Sequence, residues 1–298
     1  MAVTRAIVVI GAGPAGLSAA AAAARLGVHA VVIDERPEPG GHLRDHPHPV
    51  THARAGAEIV AALLEDLPAD RITIRHQTVA WGLFEGWRVA VTTGGQTESV
   101  DTPAVVLATG LIQRIVPFPG WTSAGVMTAF AARGLLRRHV IPGRRAAVLG
   151  KTDLGAWIAR ELHEAGVEVF GPLEHPTARE EEPEAAPRIR VEGAPRIRRL
   201  ILTGRDAATN TALDVDLVVL AQGVNPLVEL ALQAGCRVIF DERLGAHVPA
   251  CAPDMATSLP GIFAAGGIVG AQDAEEAVVQ GRLAGEAAAA VAAQGAPA

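Results

Sequence analysis

At 298 residues, with 49% apolar and 19% charged side chains, the chain has material for about two domains, each with a sizeable core. A net charge of −6, with arginines scattered along the chain, excludes the basic footprint of a nucleic-acid partner. No uncharged apolar stretch reaches the roughly 18 residues of a membrane span, and residues 6–10 are too short for a signal segment, so a soluble cytoplasmic protein is expected.

Residues 6–10 read as a buried strand, 14–25 as an alanine-rich helix stopping near Gly27, and 29–33 as a second strand, which together make a β-α-β unit. A proline- and histidine-rich loop follows, then a helix over 55–67, alternating strands over 71–100 that suggest a β-meander, and a buried strand at 105–108. A second β-α-β pattern occupies 145–149, 154–165 and 167–170, an internal repeat of organisation. Residues 171–187, with Glu180, Glu181 and Glu182 among prolines, predict a solvated loop, and strands around a turn lead to an apolar strand at 217–221. From Gly261 the pattern becomes a strand, glycines and a long alanine-rich helix over 273–293. This order implies a first domain, 1–112 and 244–298, interrupted by a second, 113–243.

The first strand runs directly into Gly11-Ala12-Gly13-Pro14-Ala15-Gly16. In a strand-turn-helix context the first glycine permits the tight turn, the second lets backbone approach a pyrophosphate, and the third allows close helix–strand packing, while the helix N-terminus offers N–H groups and a positive dipole end. Pro14 suits the first helical position. Asp34, with Glu35 beside it, ends the second strand, where a carboxylate can accept from both ribose hydroxyls of an adenosine and repel a 2′-phosphate. Motif, context and acid together predict a bound adenine dinucleotide without choosing FAD over NAD.

Cys236 and Cys251, the only cysteines, fit neither a redox Cys-x-x-Cys nor a cluster-ligating set and read as buried structural thiols. His42, His46, His48 and His52 lie close in sequence, but their irregular spacing among prolines matches no zinc pattern, so no metal is expected.

Further segments carry a resemblance. Gly40-Gly41, Val105-Val106-Leu107-Ala108-Thr109-Gly110 and Gly261-Ile262-Phe263-Ala264-Ala265-Gly266 resemble the FAD-domain motifs of the FAD-dependent pyridine nucleotide-disulfide oxidoreductase superfamily. Residues 78–84, Pro117-Phe118-Pro119-Gly120-Trp121 and Gly125-Val126-Met127-Thr128-Ala129 are similar to one branch of it. That branch holds the alpha subunit of heterotetrameric sarcosine oxidase, the A subunit of opine oxidases, the middle subunit of hydrogen cyanide synthase and subunits of dye-linked proline dehydrogenases. The resemblance implies an α/β protein of two Rossmann-like, three-layer ββα nucleotide-binding domains, thioredoxin-reductase-like, with the second inserted in the first. It makes FAD the expected ligand of the first site. It places Gly11, Gly13, Pro14, Ala15 and Gly16 at the pyrophosphate, Asp34 and Glu35 at the ribose, and the Val79 backbone at the adenine. Gly41, Ala108, Thr109, Gly110, Gly266 and Gly267 stand around the nucleotide, and His42 stands where relatives often have a glutamine near the flavin. A near-neutral pKa would also let His42 relay protons, and the plainer alternative is a loop histidine in solvent.

The departures shape the functional expectation. The chain has no Cys-x-x-Cys for the dithiol route of thioredoxin reductase and no cysteine-rich stretch, and the second turn reads Gly150-Lys151-Thr152-Asp153-Leu154-Gly155, a poor fit for NAD(P)H. The Gly-Asp pair expected near the flavin reads Gly266-Gly267. No catalytic acid–base pair or nucleophile is recognisable. The implied role is an FAD-binding oxidoreductase subunit passing electrons in a hetero-oligomeric amine or amino-acid dehydrogenase or oxidase. It would work with a companion flavin subunit, a small iron–sulfur subunit being a further candidate partner. The alternatives are a self-contained NAD(P)H:acceptor flavoprotein and a non-catalytic, nucleotide-binding structural subunit.

Overall fold

The computed structural model describes residues 6–45, 56–174, 188–203, 210–271 and 273–294. The chain divides into two compact units, residues 1–112 with 225–298, and residues 113–224.

The first unit opens with β1 (Ala6–Ile10), α1 (Pro14–Arg25), β2 (His29–Ile33), a 3₁₀ turn (Gly41–Asp45) and α2 (Gly56–Glu65). It continues through β3 (Ile72–Arg75), β4 (Thr78–Phe84), β5 (Arg88–Thr93), β6 (Gln96–Asp101) and β7 (Val105–Leu107) to β8 (Leu111–Gln113), where the chain leaves it. The second unit holds β9 (Val126–Thr128), α3 (Ala129–Leu136), β10 (Arg145–Leu149), α4 (Asp153–Glu164) and β11 (Glu168–Leu173), then β12 (Arg188–Glu192), β13 (Arg199–Thr203), β14 (Thr211–Asp214) and β15 (Leu217–Leu220). The chain returns through β16 (Val224–Pro226) to α5 (Glu229–Ala234), β17 (Val238–Asp241), β18 (Ala246–Pro249), β19 (Ile262–Ala264) and α6 (Ala274–Gln294).

Strand β1 is apolar at all five positions because it is buried on both faces of a five-stranded parallel sheet, ordered β19-β7-β1-β2-β3. Alternate residues point to opposite faces. Ile7 and Val9 join the core under α1 and α6, whereas Val8 and Ile10 join Leu83, Val89 and Val91 from the antiparallel β4-β5-β6 meander. The 71–100 meander is thus narrower than the sequence suggests, since β3 pairs in parallel with β2. The second unit repeats the plan with a parallel sheet ordered β11-β10-β15-β9. Ala146 and Val148 face α3 and α4, while Ala147 and Leu149 face the β12-β13-β14 sheet. Both units therefore show the three-layer ββα arrangement.

Helices α1 and α6 are alanine-rich because they lie too close for larger side chains. A Cβ on Gly281 would stand 2.1 Å from the Ala15 carbonyl oxygen, and one on Gly285 would stand 2.2 Å from that of Ala19. Ser18 Oγ closes the same contact by donating to the Val278 carbonyl at 2.8 Å.

The return to the first unit falls at Asn225 rather than near Arg243. Ala231 and Cys236 are buried in the same cluster as Val8, Ile10 and Leu107, and Gln233 Oε1 accepts from the Leu83 amide at 2.9 Å, so 225–243 belongs to the first core. His46, His48, His52 and most of the 171–187 loop lie outside the described residues. Among the described residues no helix is long and apolar enough to cross a membrane, and no three His, Cys, Asp or Glu side chains gather as a metal set.

Candidate nucleotide site

The Gly11–Gly16 turn joins β1 to α1. Gly11 has φ +106°, and a Cβ there would stand 2.2 Å from the Ala108 carbonyl oxygen, so only glycine fits. Gly16 is required by proximity, since its Cβ would meet the Gly11 oxygen at 1.8 Å. Gly13 differs from both. It is the N-cap of α1 in ordinary extended backbone, and a Cβ there would have nothing within 4 Å. The space beside Gly13 is open, Pro14 occupies the first turn, and no side chain caps the helix, which leaves its first N–H groups to a ligand or solvent.

Asp34 closes one side of this turn. Its buried carboxylate accepts from the Ala12 amide at 2.6 Å through Oδ2 and from the Arg36 amide at 2.8 Å through Oδ1. Each oxygen keeps a further lone pair for a hydroxyl donor. Glu35 is exposed beside it. The Thr78 amide donates to the Asp34 carbonyl and the Gln77 amide to that of Arg36, which sets Val79 next to Asp34 with its side chain 45% exposed.

The Gly40-Gly41 turn folds back over the loop. The Gly40 amide donates to the Ala12 carbonyl at 2.7 Å, and a Cβ on Gly41 would reach Gly13 Cα at 3.2 Å. Arg36, which sequence reasoning missed, holds this turn through Nη1 to the Gly41 carbonyl at 3.1 Å and Nη2 to His42 Nδ1 at 3.1 Å. His42 Nε2 lies 3.0 Å from the Leu111 carbonyl. Arg36 can only donate, so Nδ1 accepts and Nε2 carries the proton given to Leu111. His42, although exposed, is thus a tether between two loops.

Burial first and the Arg36 guanidinium second hold the His42 pKa below its ordinary 6.5, against the upward pull of the Leu111 carbonyl. The unfolded chain therefore takes up this proton at higher pH than the folded chain, so stability falls as pH drops through 6.5 toward the folded value. Denaturant titrations between about pH 7.5 and 5 should show that loss in the wild type and a shallower one in His42→Gln. Equal slopes would remove His42 as the cause.

On the other side of the turn, Ala108 is buried, and Thr109 Oγ1 donates to the Leu227 carbonyl at 2.7 Å, while the Leu227 amide donates to Gly110, which has φ +76°. Thr109 therefore positions the returning chain. The Gly266 amide donates to Gln280 Oε1 at 2.9 Å, another partner that sequence reasoning missed. A Cβ on Gly267 would stand 2.7 Å from Leu111 Cγ, so Leu111 fills the space where an aspartate side chain would begin.

The second unit builds the same turn and closes it. Gly150, at φ +128°, has the Ala221 oxygen 2.2 Å from a would-be Cβ, and Gly155 has the Gly150 oxygen at 2.0 Å, matching Gly11 and Gly16. At the position of Gly13 stands Thr152, the N-cap of α4, whose Oγ1 accepts from the Gly155 amide at 3.0 Å and donates to the Ala221 carbonyl at 2.7 Å. Its hydroxyl thus occupies an N–H that an open turn presents to phosphate, and Asp153 adds negative charge in the first turn of the helix. The Gly150 amide bonds to the Leu173 carbonyl as the Gly11 amide bonds to that of Ile33, so Glu174 is the counterpart of Asp34. Aligning the two β-α-β repeats by these turns is the signal that would have found it. Lys151 Nζ lies 3.5 Å from the Glu174 carboxylate, both side chains exposed, a contact of little energetic weight.

The sequence profile of pyridine nucleotide-disulphide oxidoreductases matches residues 5–290. The chain belongs to that family. Among curated members it is 31% identical over 324 residues to the A subunit of opine oxidase from Agrobacterium tumefaciens (strain Ach5), a match spanning 93% of this chain and 64% of that protein. It is 29% identical over 291 residues to the alpha subunit of sarcosine oxidase from Rhizobium meliloti (strain 1021), spanning 88% of this chain and 28% of that one. The chain thus covers less than two thirds of the length of these relatives. Among solved members, L-proline dehydrogenase from P. horikoshii aligns over 94% of this chain and 54% of its own, with a TM-score of 0.79 and 25% identity. Lactococcus lactis thioredoxin reductase shares the fold over 97% of this chain and 99% of its own, with a TM-score of 0.71 and 20% identity. The chain thus sits in the branch of this family that holds the opine oxidase A subunit, the sarcosine oxidase alpha subunit and L-proline dehydrogenase, and it keeps the family's two-domain fold. It does so with two cysteines and no Cys-x-x-Cys.

Proposed function

We propose that this chain is an FAD-binding oxidoreductase subunit that passes electrons within a hetero-oligomer oxidising a secondary amine or amino-acid-like substrate. The first unit acts as the FAD-binding domain and the second as a degenerate NAD(P)-binding-like domain. The observation that carries the reading is the contrast between two turns of one design: Gly13 leaves its helix uncapped and the adjoining space open, whereas Thr152 caps its helix with its own hydroxyl.

The first turn fits an adenine dinucleotide. The uncapped N-terminus of α1 would hold the pyrophosphate through Gly13, Ala15 and Gly16, and the remaining lone pairs of Asp34 would take the ribose hydroxyls. The Val79 backbone, next to the Thr78 amide that bonds the Asp34 carbonyl, would face the adenine, and Gly41 and Gly110 would allow close backbone approach. FAD, when bound, supplies reversible acceptance of an electron pair, and the chain supplies position and electrostatics. The relatives are named as subunits of oxidases, which supports partner subunits, and a companion flavin subunit with an iron–sulfur subunit as a further candidate is the assembly this reading proposes.

Two measurements test this. The purified chain should release about one noncovalent FAD on denaturation, and substrate-driven bleaching of that FAD should require the companion subunit. ADP in place of FAD, or an FAD that stays oxidised in the assembled and turning-over complex, would favour the structural-subunit reading instead.

One observation favours a second reading, a self-contained NAD(P)H:acceptor flavoprotein: Glu174 retains a ribose-type acid in the second unit. The Thr152 cap weighs against it. In Thr152→Gly/Asp153→Ser the N-terminus of α4 is freed at a stability cost of about 1 kcal/mol or less. That variant should gain NADH-dependent flavin reduction that the wild type lacks.

A further inference from the structure

The two cysteines are distant from the glycine turns in sequence and are not used by the site described above. Cys236 follows α5, its amide donating to the Ala231 carbonyl at 2.9 Å, and leads into β17. Strands β17 and β18 form an antiparallel ribbon whose register runs from Asp241 opposite Ala246 to Val238 opposite Pro249. One step beyond, the Ala250 amide donates to the Arg237 carbonyl at 2.9 Å while the Arg237 amide donates to Ser258 Oγ at 2.8 Å, so a single main-chain bond carries the register past the last ladder pair. Extending that register one more step brings Cys236 opposite Cys251, and the two thiols are close enough for Cys236 to act on the charge of Cys251.

Positions alternate along an antiparallel ribbon, so this is a non-hydrogen-bonded position, the type whose Cα atoms stand closest, about 4.5 Å apart, with both side chains on one face. A disulfide needs a Cα separation of roughly 4.4–6.8 Å. The burial pattern agrees: Cys236 is buried in the cluster of Val8, Ile10 and Leu107, and Cys251 packs, half-buried, against that same cluster. Cys236 Sγ lies 3.5 Å from Thr257 Oγ1, which holds the thiol without bonding it to another sulfur.

We propose that Cys236 and Cys251 are a cross-strand dithiol that closes to a disulfide in the presence of a low-molecular-weight disulfide, clasping the open end of the β17–β18 ribbon. Cys251, the more exposed, attacks first: its thiolate displaces one thiolate from the reagent and forms a mixed disulfide. Cys236 then attacks the Cys251 sulfur and expels the second thiolate. The protons of the two protein thiols end on the two released thiols, so one disulfide is reduced and one is formed. Burial raises the pKa of both cysteines, and for Cys251 the neighbouring Cys236 and Asp254 add to burial and take it to about 11. Closure is therefore slow at neutral pH and favours sustained over transient oxidation.

The test uses the folded full chain with oxidised glutathione at mildly alkaline pH, followed by intact mass, thiol titration and a non-reducing peptide map. The proposal predicts loss of two hydrogens, disappearance of both thiols and a Cys236–Cys251 linked peptide, all reversed by dithiothreitol, with a raised thermal midpoint in the oxidised form. Cys236→Ser should stop at the glutathione adduct on Cys251. The proposal is overturned if the wild type also stops at that adduct with Cys236 still free. It is equally overturned if both thiols survive in the folded chain, or if the linkage forms only after unfolding in urea.

Discussion

Gly13→Val should fold as the wild type does and purify without flavin. A Cβ at this position meets nothing within 4 Å, and the backbone is in an extended conformation that valine adopts readily, so the protein loses only about 1 kcal/mol through a poorer N-cap. The space the new side chain enters is the one a pyrophosphate needs. Blocking one or two charge-assisted hydrogen bonds from the N-terminus of α1 removes about 3 kcal/mol, roughly a hundred-fold in affinity. Circular dichroism and thermal unfolding of the apoprotein would report the fold, and FAD titration would report the affinity. An FAD content unchanged in Gly13→Val would show that the pyrophosphate does not lie on this turn.

Gly281→Val should behave in the opposite manner and lose the fold along with the cofactor. Its Cβ would stand 2.1 Å from the Ala15 carbonyl oxygen, and the obstacle is backbone in the first turn of α1, not the end of a flexible side chain. The helices must separate, opening the contact that Gly285 and Ala19 make one turn further on, at a cost of about 3 kcal/mol or more. That is a large share of the roughly 5–15 kcal/mol that holds a domain together. Because Ala15 also sits in the glycine turn, whatever folded protein remains should bind FAD weakly. A Gly281→Val chain with wild-type stability would mean that α1 and α6 do not approach as closely as described.

Much of this was legible in the sequence because it depends on local patterns. The all-apolar β1, the glycine spacing and the acid after β2 each follow from periodicity or from close approach of backbone. What was hidden depends on tertiary neighbours. Residues 229–243 hold a short helix and half a hairpin with nothing to say which core they join, and only the burial of Ala231 and Cys236 assigns them to the first unit. The strand read at 167–170 runs on to Leu173, which concealed Glu174 as the partner of Asp34 in the repeat. Thr152 was legible as a crowding side chain, but its role as a helix cap bonded to Gly155 and Ala221 required coordinates. The roles of Arg36 and Gln280 lie in long side chains reaching loops that sequence spacing does not bring together.

The most direct test of the two-turn account is anaerobic rapid mixing of the FAD-loaded chain with NADH and, separately, NADPH, following flavin absorbance. An open first turn and a capped second turn predict an oxidised flavin that bleaches slowly and without saturation at micromolar nicotinamide nucleotide. Fast, saturable reduction of the wild-type chain at those concentrations would contradict it.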